Sequence, residues 1–158
     1  MDLTILETVL RVLAALSIGL IIGFDRERQN KAAGLVTHAL LALSTAAIAI
    51  LQVDLYNDSI NFAIANPELG QSIVFERQRI VAQVLTGVGF LGGGAILKTK
   101  NHIHGLTTAA TLWASAIMGI IFGMGYFVLG AITSVFIVLL LYVLKSYMRK
   151  KNANGYDD

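Results

Sequence analysis

The chain has no cysteine, a single proline and little charge: Asp, Glu, Lys and Arg make up 14% of its 158 residues. The missing cysteine excludes disulfides, thiolate metal sites and a cysteine nucleophile. The scarcity of charge sets it against soluble domains, which carry about 25% charged residues. Hydrophobic residues fill the deficit at 56%, above the usual 45–50% or so, and that shift points to the bilayer. A net charge of +2 is too small to suggest a nucleic-acid partner, so the placement of the charges carries more than their sum. The first residues, Met1-Asp2-Leu3-Thr4, lack the basic region of a signal peptide. The apolar run after them is therefore expected to stay as a spanning helix.

Five apolar stretches follow. Spans are expected near residues 3–24, 35–53, 80–97, 107–122 and 126–144, with an outer loop over 54–79. The last two come from one run, because residues 105–144 contain no Asp, Glu, Lys or Arg. As a single helix that run would be about 60 Å long, roughly twice the hydrocarbon thickness. It must reverse, and Gly123-Met124-Gly125 is the expected point. The outer loop is long for a compact bundle, which suggests structure or function of its own, and Asn66-Pro67 marks a turn in it.

The charges test the count. With the N-terminus outside, the cytoplasmic pieces hold Arg26, Arg28, Lys31, Lys98, Lys100, Lys145, Arg149, Lys150 and Lys151, nine of the 12 Lys and Arg residues. That is the asymmetry the positive-inside rule requires, and a four-span arrangement would place a basic segment outside. The expected fold is therefore an all-α membrane protein: a compact bundle of five transmembrane helices over residues 1–148, with its N-terminus outside and a polar cytoplasmic tail at 149–158.

Chemistry-bearing residues are few. The first basic loop carries Asp25, Arg26 and Glu27, with Thr37 and His38 shortly after it. These five form a candidate polar functional site, against the plainer reading of a solvated turn. Arg11 lies within the first span. It either snorkels outward and pairs with Glu7, one turn back, or forms an outer or intramembrane charge site with Glu76 and Arg79. His102 and His104 do not by themselves make a metal site. No catalytic triad or carboxylate pair is legible, and neither a metal nor a cofactor is expected.

Glycine carries more. Five of the 15 glycines fall in residues 87–94, and Gly87, Gly89 and Gly92 match G-x-G-x-x-G. A dinucleotide loop would need a preceding strand and an acid about 20 residues on, where this chain has Thr111, Leu112 and Trp113. The alternative is helix packing. Gly19 and Gly23, Gly89 and Gly93, and Gly119 and Gly123 are G-x-x-x-G pairs, the spacing that lets membrane helices approach backbone to backbone. Gly19, Gly23, Gly87, Gly89, Gly92, Gly93, Gly119 and Gly123 are thus candidate packing positions. They act within one chain or between chains, and a bulky valine at Gly89 or Gly92 should split or misfold the bundle.

Three blocks together resemble the MgtC/SapB family of bacterial inner-membrane proteins. The first is Gly23-Phe24-Asp25-Arg26-Glu27-Arg28 with Lys31, Gly34, Thr37 and His38; Asp25 stands where the family usually has glutamate. The second, over residues 79–96, holds Ala82-Gln83 and the core from Gly87 through Phe90 and Leu91; the family usually has alanine at Gly93. The third is Gly105-Leu106-Thr107-Thr108, continuing to Trp113. The resemblance implies a multi-pass protein of the bacterial inner membrane, linked to virulence, magnesium homeostasis and adaptation to low magnesium, acid or host stress. It implies contact with other membrane proteins and no enzyme activity. The expected partners are the lipid bilayer, other membrane proteins and a second copy of the chain, a dimer being favoured. The alternative function is a small transporter or channel for Mg2+ or another ion, using Arg11, Glu76, Arg79 and the third span.

Overall fold

A computed structural model describes residues 3–70, 79–100 and 102–144, and these are almost entirely helical. Helix α1 (Ile5–Arg28) starts with a reciprocal cap. The Thr4 hydroxyl accepts from the Glu7 N–H at 3.3 Å, and the Glu7 carboxylate accepts from the Thr4 N–H at 3.0 Å. Two orphan donors of the first turn are satisfied in this way. The chain turns after Gln29 through Asn30, which takes a left-handed φ of 52°, and α2 (Leu35–Ala65) follows. Thirty-one residues make a rod of about 46 Å, longer than the hydrocarbon layer of about 30 Å. Much of the expected outer loop is thus a continuation of α2, carrying Asp54 and Asp58 beyond the apolar part. Asn66 ends it, and Pro67 opens a single turn, α3 (Pro67–Gly70).

Helix α4 (Arg79–Gly94) leads into a two-residue hairpin, β1 (Leu97–Lys98) with β2 (Ile103–His104), paired antiparallel. Gly105 then takes φ 88°, and a Cβ there would run into the Ala95 carbonyl oxygen. Only glycine permits this entry into α5 (Leu106–Gly123). The reversal falls at Met124-Gly125-Tyr126, with Gly125 at φ 84°, before α6 (Phe127–Leu139) and a π-helical turn (Leu140–Leu144).

Helices α1, α2 and α5 make the centre. Helix α1 runs antiparallel to the other two: Gly23 lies over Leu35 and Gly19 over Ala42, while Arg11 meets Gly123 and Arg26 meets Thr108. Ala15, Ile18, Ile22, Ala46, Met118 and Phe122 form the buried apolar cluster, and Ile137 and Val138 of α6 and Leu141 of the π-helical turn close it. Helix α4 packs on α5 and α2, with the Gln52 side chain accepting the Val81 N–H at 2.8 Å.

The distribution of polarity is that of a membrane protein. Ile5, Leu13, Ile21 and Phe24 of α1 and Val128, Val135 and Phe136 of α6 face outward, while Arg26, His38, Thr45, Gln52, Thr108, Thr111 and Ser115 are buried. Of the five expected spans, α1, α2 and α5 are helices long and apolar enough to cross a bilayer. The stretch Phe127–Val143 is a shorter apolar helix, and α4, with 16 residues, is about 24 Å long.

Candidate functional site

The residues that could carry chemistry converge where the end of α1 meets the starts of α2 and α5. Glu27 reaches across the loop and accepts the Leu35 N–H at 2.7 Å, a carboxylate at a helix N-terminus, where it is stabilising. Gly34 makes room for this: a Cβ there would stand 2.7 Å from the Glu27 carboxylate. One turn further along, His38 is completely buried. Its Nδ1 lies 2.8 Å from the Gly34 carbonyl and its Nε2 lies 3.1 Å from the Thr111 hydroxyl. A carbonyl only accepts, so Nδ1 carries a proton. In the neutral ring, Nε2 then takes the Thr111 hydroxyl proton. That same hydroxyl lies 3.0 Å from the Thr108 carbonyl, and one proton cannot serve both.

Arg26 is the other half of the cluster. It is 1% exposed and is the largest fully buried side chain. Its Nη2 donates to the Thr108 hydroxyl at 3.0 Å, while Nε and Nη1 are buried with no hydrogen-bond partner among the described residues. Asp25, also buried and held by the Gln29 amide at 2.7 Å, is the acid in its field. Burying a guanidinium costs several kcal/mol even after relaxation. By the usual rule for ionisable residues in membrane segments, that cost makes Arg26 a functional candidate.

The structure therefore brings Asp25, Arg26, Glu27 and His38 to one end of the bundle and adds Thr108 and Thr111. Thr37 departs from the group. It is exposed and opens instead, with Val36, Leu40, Leu41, Ser44, Leu91 and Leu112, onto a groove of about 390 Å³ between α2, α4 and α5. Among the third-block residues, Thr108 points inward, while Leu106, Thr107 and Trp113 are exposed.

Arg11 lies in the field of Glu7, but its hydrogen bond among the described residues goes to a carbonyl. Its Nη1 donates to the Gly123 carbonyl at 2.9 Å, capping the last turn of α5, and its guanidinium lies against Gly125. Arg79 opens α4 and is exposed. Glu76 lies outside the described residues. His102 and His104 have ring centroids 6.1 Å apart, and among the described residues no three acids or histidines gather as a metal site.

The glycines divide sharply. A Cβ at Gly19 would meet Ala42 Cβ at 2.8 Å and the His38 carbonyl at 2.9 Å; at Gly23 it would meet Leu35 Cα at 2.6 Å. At Gly119 it would enter the Ala42 carbonyl and the Thr45 hydroxyl, and at Gly123 it would meet the Ala46 carbonyl at 2.5 Å. Gly92 has only ordinary contact, 3.7 Å or more, with Ala109. Gly87, Gly89 and Gly93 have nothing within 4 Å among the described residues, so among the glycines of the expected seam at residues 87–94 only Gly92 touches a neighbouring described helix. A Cβ at Gly89 therefore meets no described residue whose collision would misfold the chain. Phe90, on the same helix, is 83% exposed, and Leu91 is also exposed.

Sequence reasoning passed over Thr45, Gln52 and Ser115, all buried. The findable signal was positional: Thr108, Thr111, Ser115, Gly119 and Gly123 recur every three or four residues, so all lie on one face of α5.

Comparison with known proteins places this arrangement in a family. The chain is 38% identical over 132 residues to YhiD of Escherichia coli K12, named as a candidate magnesium transporter, a match covering 84% of this chain and 57% of that one. It is 36% identical over 119 residues to the protein MgtC of Salmonella typhimurium LT2 (75% of this chain, 44% of that one). With the protein SrpB of Synechococcus elongatus it shares 37% identity over 147 residues (88% and 75%). It spans about half the length of several of these curated relatives. No solved structure matches it. The MgtC family model matches residues 12–150, from the start of the buried α1 stripe past the end of α6, and the chain belongs to the MgtC family.

Proposed function

We propose that this chain is a non-enzymatic regulator in the bacterial inner membrane, acting in adaptation to low magnesium, acid or host stress by contact with other membrane proteins and with its own copies. It crosses the membrane five times, N-terminus outside, through α1, α2, α4, α5 and α6. The observation that carries the reading is the open face of α4. Among the described residues Gly87, Gly89 and Gly93 meet nothing within 4 Å, beside the exposed Phe90. Helix association in lipid depends on close van der Waals approach at such small residues, and this face is free to receive another helix. The polar cluster around Arg26 and His38 sits at the basic end of the same bundle. The family resemblance and the MgtC name of one relative support the physiological setting.

Valine at Gly89 and Gly93 tests this. The double variant should insert and fold as the parent does, because no atom lies in the way, and should lose detergent-resistant self-association and the growth phenotype at low magnesium. A variant that keeps both would sink the proposal.

The second reading is transport of Mg2+ or another ion, favoured by the name of the Escherichia coli relative. Against it stands Arg26, a buried cation at the mouth of the central helix triad, which repels a divalent cation strongly at low dielectric. Flux into proteoliposomes that is abolished by Asp25→Ala would reverse the ranking.

A further inference from the structure

Thr37 is the residue that the polar cluster leaves out, and where it goes points to a ligand. Its neighbour His38 is buried among α1, α2 and α5, whereas Thr37 opens outward onto the groove lined by Val36, Leu40, Leu41, Ser44, Leu91 and Leu112. The groove measures about 390 Å³, within the range of about 300–1,000 Å³ for small-molecule sites. Its lining is apolar except for the Thr37 and Ser44 hydroxyls.

Two features select the occupant. The first is length. From Val36 to Ser44 the groove follows α2 for about 12 Å, well under the hydrocarbon thickness of about 30 Å. A transmembrane helix of a partner would lie along the full thickness; an acyl chain of one leaflet needs only its first part held. The second is charge. Helix α4 runs from Leu91 on the groove wall into the hairpin that bears Lys98 and Lys100, and that hairpin feeds α5, whose Leu112 forms the opposite wall. Lys31 precedes α2 at the same end, and Lys31, Lys98 and Lys100 are all exposed. An apolar slot that opens at its headgroup end beneath lysines is complementary to an anionic amphiphile.

We infer that this groove binds one anionic phospholipid. An acyl chain lies between Leu40, Leu41, Leu91 and Leu112. Thr37 donates a hydrogen bond at the depth of the glycerol esters, and the phosphate sits under Lys98 and Lys100. This ligand is independent of the protein contacts proposed for the open face of α4.

The chain supplies its own reporter. Trp113 is the only tryptophan, it is half exposed, and it follows the groove residue Leu112. The full chain is reconstituted in phosphatidylcholine vesicles containing phosphatidylglycerol, with bromine placed on the acyl chains of one lipid or the other, and quenching of Trp113 is read. Brominated phosphatidylglycerol should quench more than brominated phosphatidylcholine at equal mole fraction. A lysine near an anionic surface contributes about 1 kcal/mol, or roughly fivefold in partition. Lys98→Gln and Lys100→Gln should therefore each cut the preference several-fold, and Ser44→Phe, which fills the slot from an exposed position, should abolish it. Equal quenching by the two lipids overturns the proposal. So does a preference that the lysine changes remove but Ser44→Phe leaves intact, since that describes a charged surface without a groove. A copy of the chain as occupant would show as loss of all lipid quenching on self-association, and that result also overturns it.

Discussion

Helices α4 and α5 carry the same motif in opposite circumstances. Gly119 and Gly123 of α5 lie so close to α2 that a Cβ on either would enter backbone atoms of Ala42 or Ala46. Gly89 and Gly93 of α4 have the same spacing and nothing within 4 Å among the described residues. G-x-x-x-G is thus a licence for close approach, not a record of it. In α5 the licence is used inside the chain: Thr45, Ala46 and Ala49 of α2 stand against the bare backbone, and the central triad closes without an intervening layer of side chains. In α4 it is unused at Gly89 and Gly93 among the described residues, which leaves that face open for the partner proposed above. Glycine in a helix interior is unfavourable by about 0.5–1 kcal/mol relative to alanine. In α5 that penalty is offset by packing. At Gly89 and Gly93 of α4 nothing among the described residues offsets it.

The most direct way to break the comparison is to fill the tight side. Gly119→Val puts a branched side chain where the Ala42 carbonyl and the Thr45 hydroxyl already are. Overpacking costs about 1–3 kcal/mol and sometimes more, and here the obstacle is backbone, so we expect a loss near or above the top of that range. Thermal inactivation and protease resistance in detergent will show it as a lowered midpoint and reduced folded yield. A parent-like midpoint would mean that α5 and α2 are not in contact.

Arg26→Met comes next and should move stability the other way. The triad that the glycines close also encloses a guanidinium with two nitrogens, Nε and Nη1, that have no hydrogen-bond partner among the described residues. Exchange of buried charge for an apolar side chain of similar volume is often neutral or stabilising by about 1–4 kcal/mol. We expect a midpoint equal to or above that of the parent together with loss of the low-magnesium phenotype. Stability and phenotype lost in proportion would show Arg26 to be a structural strut.

The two arginines of α1 also show how far the sequence could be read. Both are visible as charges in an apolar helix, and the spacing of 15 residues between Arg11 and Arg26 is repeated in α5 between Gly123 and Thr108, the groups they bond. What the sequence lacked was the helix opposite. Partners 82 and 112 positions away leave no local pattern, so Arg11 was assigned to acids such as Glu7 and Glu76, not to a carbonyl. The polar cluster was legible for the opposite reason: Glu27, Gly34 and His38 are joined within α1, its loop and α2. Thr37 was grouped with His38 because they adjoin, yet consecutive residues of a helix stand about 100° apart, enough to send one inward and the other to the surface. The α4 motif could not be assigned to a partner from sequence, because G-x-x-x-G carries no information about whether its partner lies in the same chain.

Gly125→Ala probes the edge of the tight region with a smaller effect. The left-handed conformation costs an L-residue about 1–2 kcal/mol, and the new Cβ would also press on the Arg11 guanidinium at 2.9 Å. Repeating the substitution in an Arg11→Met background separates these, since residues in contact depart from additivity. The cost should fall in the double variant but not vanish, the remainder being the backbone term. Equal cost in both backgrounds would show that Arg11 does not press on that position.

The smallest effect is the sharpest test, because it predicts a sign. Gly89→Ala adds a methyl group into open space in the middle of α4. Within one chain the consequence is gained helix propensity, so the midpoint of the dispersed protein in detergent should rise by the equivalent of about 0.5–1 kcal/mol. Gly119→Ala gains the same propensity, but its Cβ meets the α2 backbone and the midpoint should fall. If α4 receives another helix at Gly89, the added methyl also holds the two backbones apart. The same variant that stabilises the dispersed chain should then associate more weakly at equal detergent-to-protein ratio. Rising stability with unchanged association would leave α4 as a lipid-facing helix rich in glycine for no reason of packing. Falling stability would mean that the face is covered within the chain, and the contrast between α4 and α5 would collapse.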